Sequence, residues 1–277
     1  MKKSLLLLTA LSAFSSVSHA QKMYVKIGLG HNIPVSGSAY SLYDNPINGK
    51  TTYNSITGAI TDYELKKSGI SSGMQAIAGA GIMFSKYVGI ELNATIGFLQ
   101  KKNESLYAYP YDGAYVSERN TSYAKAPLML NPSLVLRTPG EKANMYARAG
   151  FVLPVMARIK DEYTGTVSDG GMSYTYEGEN IYKTYFSLGF SGAMGISVKA
   201  SKKMNVWAEA NLTSLSVFVK EREVTAYYVA GVDVLPRLSA NEKKVSYSKK
   251  YENVNTRMSY TLPFSNAGVN AGVSFNL

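Results

Sequence analysis

The sequence predicts an all-β protein: eight antiparallel strands joined up-and-down into a transmembrane barrel, with short turns at one rim and long loops at the other. Three observations predict it. The last stretch alternates Ala267, Val269, Ala271, Val273, Phe275 and Leu277 with Gly268, Asn270, Gly272, Ser274 and Asn276. One face of that strand is therefore apolar and the other small and polar. Segments of the same period recur along the chain, separated alternately by long and short connections. The composition fits as well: 24 Gly, 22 Tyr, one Trp and no Cys. No run of about 18 apolar residues crosses the bilayer as a helix, whereas Gly and Tyr on alternating strands suit a barrel with aromatic girdles.

The first residues read as an export signal rather than as fold. Lys2 and Lys3 form a basic start, Leu5 to Leu11 an apolar core, and Ser18-His19-Ala20 a small-residue cleavage site before Gln21. Residues 1–20 are thus expected to be removed, leaving 21–277 as one barrel domain.

Strand 1, Lys22 to Gly30, sets Met23, Val25, Ile27 and Leu29 against Tyr24, Lys26, Gly28 and Gly30. A polar connection runs to about Ser72. Strand 2, Gly73 to Phe84, places Met74, Ala76, Ala78, Ala80 and Ile82 on one face, with Ile77 and Met83 as exceptions on the other. After the turn Ser85-Lys86-Tyr87, strand 3 alternates almost ideally from Val88 to Leu99. A second long connection, Gln100 to Ala124, is rich in tyrosine.

Strand 4 spans Lys125 to Arg137 and strand 5 Met145 to Ile159, around the turn at Pro139-Gly140. Pro132 and Pro154 interrupt them and mark expected bulges. On strand 5, Phe151, Leu153, Val155 and Ile159 are expected outward, and Arg148 and Arg158 inward. A third connection covers Lys160 to Tyr182. Strand 6, Lys183 to Ala200, and strand 7, Met204 to Val217, flank the turn Ser201-Lys202-Lys203. A fourth connection, Phe218 to Ser265, leads into the closing strand, whose Val269, Val273, Phe275 and Leu277 are expected to face lipid.

The eight alternating segments, V-G-I-E-L-N-A-T-I-G-F and M-Y-A-R-A-G-F among them, together with the C-terminal strand, resemble the small outer-membrane barrels of the OmpA/OmpX-like superfamily. The chain departs from that pattern in ending on Leu277, with Phe275 two residues earlier, where such proteins usually end on an aromatic residue. The resemblance implies a monomer in the bacterial outer membrane with both termini periplasmic. It implies contact with lipid and lipopolysaccharide, and insertion by the barrel-assembly machinery.

Buried charges must be paired or hydrated, and an eight-stranded lumen is just wide enough for side chains to fill. The inward rows bring Glu91 and Glu209 together with Lys26, Arg137 and Arg148, so a salt-bridged plug is expected. The net charge of +10 collects partly on lysines of the short-turn rim, which argues against a nucleic-acid partner. No cofactor or metal spacing is present.

Three functions follow, from different classes. A structural or surface-interaction barrel would use the tyrosines of the long connections: Tyr107, Tyr109, Tyr111, Tyr174, Tyr176, Tyr227 and Tyr228. Tyr among Ser, Gly and Asn gives contact area at low entropic cost, though the same residues suit hairpins that extend the barrel. A small solute channel is the second. A lipid-modifying enzyme centred on His31, with Ser36, Ser38 and Asp44, is the third. No nucleophile motif accompanies His31, so no catalytic residue is assigned.

Overall fold

The structure is a computed structural model. It describes residues 22–35, 48–54, 56–57, 59–111, 113–169, 171–250 and 257–277; the export signal, Ser36, Ser38 and Asp44 lie outside them. The fold is all-β and mostly antiparallel. In chain order the strands are β1 (Lys22–Pro34), β2 (Gly49–Tyr53), β3 (Ile60–Leu65), β4 (Gly73–Met83), β5 (Val88–Gln100) and β6 (Asn103–Tyr111). Then come β7 (Ala114–Arg137), β8 (Ala143–Asp169), β9 (Met172–Thr184), β10 (Gly189–Lys199), β11 (Met204–Ser214) and β12 (Ser216–Val229). The last are β13 (Val232–Asp233), β14 (Lys244–Ser248), β15 (Arg257–Met258), β16 (Thr261–Pro263) and β17 (Asn266–Asn276). Between β13 and β14 a 3-10 turn, Leu235–Arg237, is followed by a short helix, Ala240–Lys243, that starts at a capping box between Ser239 and Glu242.

The pairings have a simple order. β1 pairs with β4, β4 with β5, β5 with β7, β7 with β8, β8 with β10, β10 with β11, and β11 with β17. β17 pairs back onto β1, from Tyr24↔Asn276 to Pro34↔Asn266. Every pair in this circuit is antiparallel. The short turns, the start of β1 and the end of β17 share one rim.

Polarity in the circuit is reversed relative to a soluble core. Along β11, Val206, Ala208, Ala210 and Leu212 are exposed, while Asn205, Trp207, Glu209 and Thr213 are buried. Along β1, Met23, Val25, Ile27, Leu29 and Ile33 are exposed, and Lys26 and Asn32 buried. On β17, Val269, Phe275 and Leu277 are exposed and Val273 partly so.

Above this circuit the chain departs from the expected loops. Most of the second and third connections, and much of the fourth, are strand. β6 pairs with the upper half of β7, β8 continues upward into a hairpin with β9, and β9 pairs with β12. β2 and β3 extend the same sheet beside β6. Strand 6, expected from Lys183, divides into the end of β9 and the start of β10, with Phe186 and Leu188 exposed between them.

Of the two expected bulges, the one at Pro154 is present and the one at Pro132 is not. Pro132 sits opposite Leu92 with no shift of register. The shift lies between Lys125 and Met129 of β7, where Leu128 pairs with Met156 and Met129 with Pro154. Ala126, just before Pro127, has a φ of 44° there. Each strand carries one extra residue there, β7 between Lys125 and Leu128 and β8 between Pro154 and Met156, so the register is restored while the faces of both strands are exchanged beyond it. Ile159, expected outward, is consequently buried, and Arg158, expected inward, is exposed. A second bulge leaves Leu99 unpaired between Gly73↔Gln100 and Met74↔Phe98, at a φ of 49°. A side chain with a Cβ is strained in that region, so Leu99→Gly should stabilise the fold by about 1 kcal/mol, read by urea unfolding.

The apolar core lies where the upper sheet meets the circuit. Ile70, Ile159, Val152, Leu215, Val217, Val219 and Phe264 are almost fully buried and pack together with Met129 and Leu262. Ile70 comes from the segment Ser68–Ser72, which folds into the interior. Its N–H donates to the Pro263 carbonyl (3.2 Å) and its carbonyl accepts from the Ala124 N–H (2.9 Å). Each large side chain buried here contributes about 1.5–3 kcal/mol, and together they form a dry floor across the interior.

Candidate functional site

Two places inside the molecule gather polar chemistry. The first lies within the circuit, near the short-turn rim. β1 supplies Lys26, β5 Glu91, β8 Arg148 and β11 Glu209, each from an inward-facing position set by strand alternation. Lys26 Nζ is 2.8 Å from Glu91 Oε1 and 3.9 Å from Glu209 Oε2. The Arg148 guanidinium pairs with Glu209 through both Nη2 and Nε, and reaches Glu91 Oε1 at 3.8 Å. The Tyr24 hydroxyl and the Asn93 amide donate to Glu91 at 2.7 and 2.6 Å. The Tyr146 hydroxyl and the Asn270 amide donate to Glu209, each at 2.9 Å. Two cations meet two carboxylates, and the remaining carboxylate lone pairs are occupied. That is the condition under which buried charge is tolerated.

Arg137 is a correction. It makes no ion pair among the described residues. It ends β7 at the rim, partly exposed and paired in register with Tyr146, one level below the cluster. An inward position so close to the turn lets its long side chain reach water, and two carboxylates are already neutralised above it.

The closing strand has an aromatic inner neighbour. Lys26 and Glu209 approach each other to 3.9 Å beside its small inner row. The space over the glycines is filled by the Trp207 indole, which lies over Gly28 and Gly272 and carries Lys26 Nζ at 4.8 Å from its ring centre. The same device recurs with Tyr24 over Gly81, Tyr146 over Gly195, Tyr163 over Gly178 and Tyr176 over Gly165. Each ring covers the glycine directly opposite on the next strand.

Between the cluster and the floor is a layer of amides and hydroxyls. Gln75 donates to Asn270 (2.9 Å), Asn211 to Asn32 (3.3 Å), and Asn266 to Ser71 (3.2 Å). The spaces left above and below the cluster are about 40 Å³ each, room for one or two waters.

The second place lies above the floor, among β6 to β9 and β12. It is a concave space of about 860 Å³. Tyr107, Tyr109, Tyr163, Tyr182, Tyr227 and Tyr260 line it, with polar groups from Glu118, Asn120, Asp161, Asn180, Arg222 and Arg257. Asp161 accepts from Ser122 (2.7 Å) and Asn180 (3.5 Å). Of the tyrosines singled out, Tyr107, Tyr109 and Tyr227 line the space. Tyr176 covers Gly165 and donates to Glu118, whereas Tyr174 and Tyr228 are exposed outside. The side chain of Tyr111 lies outside the described residues.

No protein-family model matches the sequence, and no curated protein matches it. Among solved structures the chain is similar to the outer membrane protein OprG from Pseudomonas aeruginosa. The identity is 10% and the TM-score 0.36, over 93% of this chain and 96% of that one. A likeness of that grade leaves function to be read from this chain's own residues.

His31 stands apart from both places. It is exposed on the apolar outer row of β1, opposite Met74 and Val269. Among the described residues no group of His, Asp or Glu is arranged to hold a metal ion. Sequence reasoning missed Trp207 as a filler of the interior, and Asn120, Asn180, Asp161 and Arg222 as a convergent set. The pairing of a lone Trp with two glycines on neighbouring inner faces was the available signal for the first.

Electrostatics in the upper space are uneven. Removal from water pushes the Asp161 carboxyl above the ordinary aspartate range, despite the bonds from Ser122 and Asn180. Burial likewise pushes the Tyr107 and Tyr163 hydroxyls up to about 12. A raised carboxyl favours the folded state fully below its unfolded pKa, and that contribution is lost as pH rises through the folded value. Asp161→Asn should therefore slow proteolysis of the upper strands severalfold at pH 7.5 and leave it nearly unchanged at pH 3.5. Equal protection of both proteins at pH 7.5 would show that the carboxylate carries no such penalty.

Proposed function

We propose that the chain is an integral outer-membrane protein. In this reading the circuit from β1 to β17 is an eight-stranded transmembrane barrel with a closed lumen, and the upper sheet is a surface-interaction platform. Residues 1–20 are its export leader, and both termini face the periplasm. The observation that carries the reading is the reversed polarity of the circuit. Apolar side chains cover its outside, while charged and amide side chains fill its inside. An exposed apolar surface of that extent is foreign to soluble monomers, and strands closed edge to edge satisfy the backbone in lipid.

Strand length supports the same division. β8 has 27 residues; at roughly 3.3 Å each it is about 90 Å long. The hydrocarbon core is about 30 Å thick, so even a tilted β8 rises well beyond it. The upper sheet then stands in the external medium.

The solute-channel alternative meets two obstructions in series, the paired-charge cluster and the floor around Ile70 and Phe264. In planar bilayers at 1 M KCl the protein should insert without steady conductance. A stable open level in the nanosiemens range would exclude the closed-lumen reading. An enzymatic role has less support, because His31 faces outward on an apolar row. His31→Ala should leave the lipid A profile unchanged in mass spectrometry.

A further inference from the structure

The upper space holds polar atoms that have no partner among the described residues. Asn180 is 6% exposed. Its amide nitrogen reaches Asp161, while its Oδ1 is buried without a hydrogen bond. Asn120 repeats the pattern: its amide donates to Glu118 at 2.8 Å and its Oδ1 is left buried and unpaired. Arg222 Nε is buried and unpaired as well. All three residues line the same space. Buried polar atoms are paired in the great majority of folded proteins, and an unpaired one costs free energy until something fills the gap. Here two acceptors and one donor without partners line one space.

The surroundings restrict what that partner is. Glu118, Asp161 and Glu242 face Arg222 and Arg257, so both signs line the space with one formal negative charge in excess, and the lining disfavours anions. Tyrosines supply flat apolar faces with polar tips: Tyr163 and Tyr227 lie 6.4 Å apart, and Tyr247 and Tyr260 5.7 Å apart. The floor of Ile70, Ile159 and Leu262 closes the bottom, so a ligand enters and leaves on the same side. The volume is within the range of ordinary small-molecule sites.

We propose that the upper space binds a short, neutral oligosaccharide. Sugar hydroxyls both donate and accept, so one molecule can satisfy the amide oxygens of Asn120 and Asn180 together with Arg222 Nε. The C–H faces of its rings would stack on the tyrosines. An acyl chain would leave all three polar atoms unpaired, and a multiply charged ligand would face the opposite charge and its like together. This assignment rests on the surface-interaction reading and names its ligand class.

The test uses the whole mature chain in amine-oxide micelles, which contain no sugar. Saturation-transfer NMR is run against maltotriose, cellotriose and chitotriose. Folding is checked on gels by the faster migration of unboiled protein. At least one trisaccharide should receive saturation, and Asn180→Ala and Arg222→Met should each weaken its binding tenfold or more while keeping folded migration. Absence of transfer to all three from protein that migrates as folded leaves ordered water as the partner and overturns the site, with the closed barrel intact. Transfer unaffected by both substitutions overturns it too. Open conductance with transfer preserved would instead remove the closed-lumen reading and keep the saccharide site.

Discussion

Glu209→Ala should lower the stability of the folded protein by about 3–5 kcal/mol, the range for breaking one side of a buried ion pair. The substitution leaves Lys26 and Arg148 sharing the single carboxylate of Glu91, and it strips the Tyr146 hydroxyl and the Asn270 amide of their acceptor. Neither cation has an easy route to water, since Lys26 is only 3% exposed and the Arg148 side chain 9%. Urea unfolding of the protein in phospholipid vesicles would read the loss. The double variant Arg148→Met with Glu209→Leu removes one charge of each sign and leaves the 2.8 Å pair of Lys26 and Glu91 intact. It should recover most of the loss, because a well-packed apolar pair replaces an ion pair at little cost. A single variant within about 1 kcal/mol of wild type would mean that the cluster is hydrated in solution.

Gly272→Phe is expected to be nearly as damaging, at about 3 kcal/mol or more, whereas Val269→Phe on the outer face of the same strand should be close to neutral. A Cβ at 272 would stand 2.6 Å from the Gly28 Cα and 2.7 Å from the Trp207 ring, and would collide with the Ile27 carbonyl. Two of those three obstacles are backbone, so no rotamer change removes them, and overpacking of that kind costs 1–3 kcal/mol before the phenyl ring is placed. Val269 is 65% exposed and has room for a larger apolar side chain. The same unfolding titration compares the two. Equal losses from both would mean that the strand is tolerant on both faces and that the indole is not clamped between its glycines.

The lower half of the fold was legible because one physical rule governs it. On β11, Glu209 and Asn211 alternate with Ala208, Ala210 and Leu212, and the face of each follows from counting by two. The rule stops where a residue is inserted. The paired bulges, one between Lys125 and Leu128 of β7 and one between Pro154 and Met156 of β8, reverse the faces of both strands beyond them, and although Pro154 marks the place, nothing in the sequence announces the number of inserted residues. Hence Ile159 proved internal and Arg158 external. The upper strands were hidden for another reason. N-E-S-L-Y-A-Y-P-Y in β6 sets Asn103, Ser105, Tyr107 and Tyr109 against Glu104, Leu106, Ala108 and Pro110, and the charge and the proline on the second face leave too short an apolar row to read as a strand.

The cluster was readable in its four central members, whose charges stand alone in otherwise neutral inner rows. Arg137 belongs to the same row as Arg148 yet lies a strand end away, and depth along the strand, not facing, decides its partners. The upper space could not be assembled from sequence at all. Asn120, Asn180 and Arg222 come from three strands, and each looks like ordinary loop polarity until the pairing of β7, β8, β9 and β12 turns them into one space. Ile70 was similar: a lone apolar residue in S-G-I-S-S reads as incidental, and only its two backbone bonds to Ala124 and Pro263 explain why it is buried.

Trp207 is the chain's one tryptophan, and it spans the junction between the first and last strands, touching Gly28 of β1 and Gly272 of β17. Until those two strands meet, the indole has no roof. Its emission therefore serves as an optical clock for the final step of assembly, the joining of chain ends some 240 residues apart, with no label added and no background from other indoles.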